Sequence, residues 1–172
     1  MSDLDDFEPY CVPAADAHPG TIAARLIELP EHAHIKENGI TIEYLMCREA
    51  KRHQGRQIAG AVHLPTVQGK LKDLFEMLLG RFFGGLPQFL MIIDEAWWGD
   101  ASEIEREALV FHELKHIQQE LDKDGEPKFD RDGNPVFALR DHDVAAFNSE
   151  VARYGAWSED LQRFAVAINQ KK

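Results

Sequence analysis

The sequence predicts an α+β fold: a small mixed or antiparallel sheet packed on one long helix, with further helices toward the C-terminus. Three observations carry this expectation. Period-two or continuous apolar runs gather before residue 94, apolar residues three and four apart dominate after residue 102, and a hydrophobic fraction of 44% across 172 residues suffices for one core.

Residues 1–19, with Pro9, Pro13, Pro19 and several aspartates, read as a flexible N-terminal arm, and residues 20–172 as a single domain. Ile22, Leu26 and Leu29 recur at helical spacing before Pro30, which predicts a short helix over 21–29. Alternation of Ile40, Ile42, Tyr44 and Met46 after Gly39 predicts a first strand. Residues 57–64, with Ile58, Ala61, Val62 and Leu64 before Pro65, predict a second. Leu71, Leu74, Phe75, Leu78 and Leu79 give an amphipathic helix ending near Gly80, whose apolar face is expected to pack in the core. After Gly84 and Gly85, the run Phe89-Leu90-Met91-Ile92-Ile93 suits a strand buried on both faces. Ser102 and Glu105 form a capping-box pattern that opens a helix over 103–121. The turn signals Asp124-Gly125 and Asp132-Gly133-Asn134 place a hairpin between 122 and 139. Asp141 is expected to cap a helix through Tyr154, and Ser158 a last one through Ile168.

Composition narrows the function classes. A formal charge of -11 disfavours attraction to nucleic acid or anionic membrane, so neither is an expected partner. The start Met1-Ser2-Asp3-Leu4-Asp5-Asp6 is acidic where a secretory signal is basic, and the longest strongly apolar segment, 89–93, falls far short of the roughly 18–20 residues of a spanning helix. Cys11 and Cys47 lie far apart without a Cys-x-x-Cys motif, which argues against a disulfide framework and fits a reducing cytoplasm, the expected location.

Chemistry centres on His112-Glu113-Leu114-Lys115-His116. Histidines four apart on a helix are separated by about 40° and about 6 Å, so both imidazoles can reach one metal ion. Catalytic zinc usually keeps three protein ligands and a water. The expected cofactor is therefore Zn2+, held by His112 and His116, with Glu113 as general base toward the metal-activated water and a protein or peptide as substrate. The third ligand must come from the chain after the helix, where His142, Asp143 and Glu150 are the candidates. His142 is the first choice, because Asp141 and Asp143 beside it could orient its ring. Glu150, two turns on and nearly on the same helical face, is the alternative.

The run Glu105-Arg106-Glu107-Ala108-Leu109-Val110-Phe111-His112-Glu113-Leu114-Lys115-His116, followed by His142-Asp143-Val144-Ala145-Ala146-Phe147 and Glu150-Val151-Ala152-Arg153-Tyr154-Gly155, resembles the putative phage metallopeptidase family. The likeness extends to Ile92-Ile93-Asp94-Glu95-Ala96-Trp97 and covers most of residues 35–165. The pattern is also similar to SprT-like zincins, in which a His-x-x-x-x-Phe segment supplies the third histidine, here His142 with Phe147. The resemblance implies a zincin-like fold, peptidase activity, His142 as ligand, and a phage-encoded protein acting in the host cytoplasm. Ala145 and Ala146 depart from it, standing where the family pattern often carries acidic residues.

Several residues invite a second reading. His32-Ala33-His34 could pair on a metal but is expected to face solvent, and His63 to be structural or exposed. Arg153 and Tyr154 could stabilise an oxyanion, though packing on the helix surface is the simpler expectation. Trp97 and Trp98 could line a cleft but are expected to anchor the core. The strand at 88–93 could receive an extended peptide if one edge is open. The competing function is a non-catalytic zincin-like interaction protein with an acidic surface. Cleavage of DNA-attached proteins lacks the basic domain or zinc ribbon it would need.

Overall fold

The computed structural model describes residues 9–53, 55–141 and 147–169. In chain order its elements are β1 (Tyr10–Cys11), a 3-10 turn (Ala15–Ala17), α1 (Pro19–Leu26), α2 (Ala33–Glu37), β2 (Ile42–Cys47), the ribbon of β3 (Arg52–His53) and β4 (Arg56–Gln57), β5 (Gly60–His63), α3 (Lys72–Phe83), β6 (Phe89–Asp94), α4 (Glu95–Asp100), α5 (Glu103–His116), β7 (Ile117–Gln119), β8 (Phe137–Leu139), α6 (Asn148–Tyr154) and α7 (Glu159–Asn169).

The continuous apolar run of β6 makes it an inner strand of a four-stranded sheet ordered β1-β2-β6-β5. Phe89, Met91 and Ile93 point into the core, and Leu90 and Ile92 are half-buried on the other face. β2 runs parallel to β6, from Ile42↔Phe89 to Cys47↔Asp94, and β5 runs antiparallel, from Gly60↔Ile93 to His63↔Leu90. The sheet is thus mixed within an α+β architecture. Because both sides of β6 are paired, a peptide cannot add to that strand; β5 is the outer strand on this side. At the opposite edge β1 pairs with β2, Tyr10↔Cys47, so part of the stretch read as an arm is tied to the sheet. Buried Pro19 opens α1, where a missing N–H costs nothing.

The capping box at Ser102 is present: its hydroxyl accepts from the Glu105 amide at 3.4 Å, and its own amide donates to Glu105 Oε2 at 2.8 Å. α5 packs against α1, β5 and α6, burying Ala108, Leu109, Val110, Phe111 and Leu114. It stops at His116 rather than near residue 121, because Ile117 turns extended (φ -79, ψ 108) and pairs with Leu139 across β7 and β8. Two aspartate-nucleated corners shape the intervening hairpin. Asp122 Oδ1 accepts from Asp124 and Glu126 amides, and Asp130 Oδ1 accepts from Asp132 and Asn134 amides. Phe147 is also extended (φ -79, ψ 138), so α6 begins at Asn148 and no single helix runs from 141 through 154.

α3 corrects another expectation. Its apolar stripe exists, but none of its residues is buried; Leu74, Leu78 and Phe82 are 49%, 54% and 61% exposed. The 3.6-residue period specifies a stripe, not what covers it. The helix continues past Gly80 to Gly84, whose φ of 76 suits a glycine terminator. Leu74→Ala and Leu78→Ala are each expected to change unfolding free energy by less than about 1 kcal/mol, against about 2–5 kcal/mol for buried Leu114→Ala. Urea unfolding checks this; equal losses at all three positions would mean that α3 is packed. Among the described residues, no helix is long and apolar enough to cross a membrane.

Candidate metal centre

His112 and His116 occupy one face of α5, a turn apart. His112 Nδ1 lies 2.6 Å from Glu150 Oε2, and His116 Nδ1 lies 2.6 Å from the Arg140 carbonyl oxygen. A carbonyl and a carboxylate accept, so each neutral ring carries its proton on Nδ1 and a lone pair on Nε2. The two Nε2 atoms face each other at 3.3 Å. Two nitrogens bound tetrahedrally to zinc at 2.0–2.1 Å are about 3.3–3.4 Å apart, so this spacing fits one shared ion. With Glu113, the two rings bring one potential ligand atom each within 4.8 Å of one another. His142 and Asp143, the other sequence candidates, lie outside the described residues.

Glu113 itself is buried and accepts the Val62 amide of β5 on Oε2 at 2.8 Å. Burial pushes its carboxyl up to about 7, against the opposing pull of His112 and the Val62 amide. A carboxyl titrating near neutrality can take a proton and return it. For His112, burial favours the neutral ring, but the Glu150 bond and the charges of Glu113 and Glu150 prevail and raise its pKa. His116 is lowered, chiefly by burial.

Glu150 is not placed as the alternative ligand. It is fully buried, its Oε2 is on the Nδ1 side of His112, and its Oε1 accepts the Trp157 indole N–H. Phe147 is extended, so the helix that carries Glu150 begins only at Asn148. The Phe147 ring instead packs beside both histidines, at 5.5 Å from His112 and 5.2 Å from His116.

Other candidates are elsewhere. Tyr154 donates to Glu107 Oε1 at 2.8 Å and meets the Phe111 ring edge-on, while the Arg153 guanidinium sits over both rings. Glu107 lies roughly 140° around α5 from His112, so this cluster is turned away from the metal-binding face. His32 is fully buried rather than solvent-facing, and His34 contacts the Ile117 carbonyl at 2.7 Å; among the described residues the two form no metal cluster. His63 is exposed on β5. Trp98 is buried, with its carbonyl accepting Arg106 Nε at 2.8 Å.

Trp97 and Trp157 border a cavity of about 540 Å3, which Gln57, Ala59 and Glu105 also line. Glu105 is two turns before His112 on nearly the same face of α5, so the cavity lies on the metal-binding side of the helix. Trp157, the Val62 amide and the Arg140 carbonyl have no counterpart among the sequence candidates. The two backbone groups leave no trace in residue type.

No curated protein and no solved structure matches the chain. One family model does, over residues 14–169, a span that takes in β2, β5 and β6 of the sheet, α5 and Glu150. By that match over nearly all of its 172 residues, this chain belongs to the putative phage metallopeptidase family.

Proposed function

We propose that the chain is a zinc-dependent metallopeptidase that hydrolyses internal peptide bonds of a protein or peptide, within a zincin-like fold. His112, His116 and His142 hold the metal, and Glu113 is the general base. The observation that supports this most directly is the 3.3 Å separation of two Nε2 atoms whose rings are both fixed through Nδ1. Neutral imidazoles are ligands that zinc favours.

Zinc, when bound, supplies a Lewis acid that lowers the pKa of water and polarises a carbonyl. Glu113 accepts the proton released as the water oxygen bonds to the peptide carbon. It returns that proton to the nitrogen as the C–N bond breaks. The Val62 amide anchors one carboxylate oxygen, which leaves the other to carry the proton. Since that amide points from β5 toward Glu113, an extended substrate laid along the outer edge of β5 would pass the site. Cys11 and Cys47 are both free thiols, which suits action in a host cytoplasm.

Metal analysis of purified protein beside a proteolysis assay tests the reading. One zinc per chain is expected, with loss of both zinc and cleavage in His116→Ala and in His142→Ala. Protein that takes up no zinc when it is supplied would sink the proposal.

A further inference from the structure

We infer that Glu150 is a positioning residue for His112, with Trp157 holding it in place: it fixes the ring tautomer and aim that leave Nε2 available to a metal. The inference rests on the metallopeptidase reading above. A carboxylate taken fully out of water is costly unless strong donors meet it. Glu150 meets two ring N–H groups, one per oxygen: His112 Nδ1 at 2.6 Å on Oε2, and the Trp157 indole N–H on Oε1. The Phe147 amide adds a longer contact to Oε2 at 3.4 Å. These bonds join three elements, since Glu150 is in the first turn of α6, His112 is on α5 and Trp157 precedes α7. The Trp157 ring is edge-on to the His112 ring at 6.3 Å, so imidazole, carboxylate and indole form one packed unit. At His116 the Arg140 carbonyl does the same work through backbone alone, which makes Glu150 the side-chain position where ring orientation can be altered.

Glu150→Gln and Trp157→Phe test this with readouts that general packing would not move. Gln carries an N–H2 group and cannot accept from both His112 and Trp157. In chelator competition, Glu150→Gln is expected to bind zinc about 10–100-fold more weakly than wild type. Trp157→Phe frees Oε1 while keeping the bond to His112, so a several-fold loss is expected. In metal-free protein at alkaline pH, histidine 15N NMR is expected to show His112 with its proton on Nδ1 in wild type and in Trp157→Phe, and as a tautomer mixture in Glu150→Gln. Unchanged affinity and tautomer in both variants would overturn the inference. So would loss of all zinc with the tautomer unchanged, which would make Glu150 a ligand. If Glu150→Gln fails to fold, Trp157→Phe decides: its unchanged zinc affinity, or a wild-type His112 proton on Nε2, overturns it. Because the tautomer is read without metal, a wild type that refuses zinc would defeat the hydrolase reading separately.

Discussion

Replacing Glu113 with Gln is expected to lower kcat for peptide hydrolysis by about 10²–10⁴-fold while zinc stoichiometry stays at the wild-type value. The amide oxygen of Gln can still accept the Val62 N–H, so the helix keeps its contact with β5 and only the proton-accepting group is lost. A second effect runs the other way. Burial raises the folded-state pKa of Glu113 to about 7 from its usual 4.5, so the native chain holds a proton there that the unfolded chain releases between those values. The stability this contributes is fully present below pH 4.5 and is lost as the pH rises through 7. In metal-free protein, Glu113→Gln is therefore expected to be more stable than wild type at pH 8, by up to about 3 kcal/mol, and equal to it near pH 4.5. An inactive variant that is more stable marks a group kept for chemistry at the expense of the fold. Urea unfolding with a chelator at the two pH values reads the second effect. Cleavage at the wild-type rate by a zinc-loaded Glu113→Gln would remove Glu113 from the reaction.

Local signals made α5 readable. Its capping box, apolar spacing and pair of histidines lie within 15 residues, from Ser102 to His116, and each depends only on neighbours along the chain. β2 and β6 were readable for the same reason. The helix end was not. Ile117, Gln118 and Gln119 are compatible with a helix, and their extended state is decided by pairing with Phe137, Ala138 and Leu139, far along the chain. The pairing matters to the site, because it puts the Arg140 carbonyl beside His116. Glu150 is visible in the sequence as a candidate, but its placement is not, because a shared helical face needs a continuous helix and Phe147 interrupts it. The stripe on α3 was equally visible, but periodicity is silent about its partner. His32 sits among polar neighbours in sequence and at full burial in space, a difference that only tertiary packing makes.

That burial makes His32 a source of acid sensitivity. Neither ring nitrogen has a hydrogen-bond partner among the described residues, and the ring lies edge-on to Phe111 at 4.4 Å. Burial first, and then the positive charges of Lys115, His34 and Arg153, lower its pKa from 6.5 to about 3. The unfolded chain therefore binds a proton that the native chain refuses, and the stability contributed by the neutral ring, complete above pH 6.5, falls away as the pH drops toward 3. Each pH unit within that window costs about 1.4 kcal/mol. His32→Leu removes the titration and the two orphaned nitrogens together. Measured by urea unfolding in chelator, its stability advantage over wild type is expected to widen by about 3 kcal/mol between pH 7 and pH 4. Comparing the two proteins at each pH cancels the opposing contribution of Glu113, which both retain. Parallel stability curves would show that His32 does not titrate in isolation. The variant also separates two acid effects that wild type mixes. Phe111 immediately precedes His112, so the packing behind the metal-binding helix loses stability as the pH falls below 6.5, while His112, with its raised pKa, and then His116, with its lowered one, gain protons. His32→Leu is expected to stay folded at pH 4.5 and still release zinc, because the imidazoles that hold the metal must be neutral to do so.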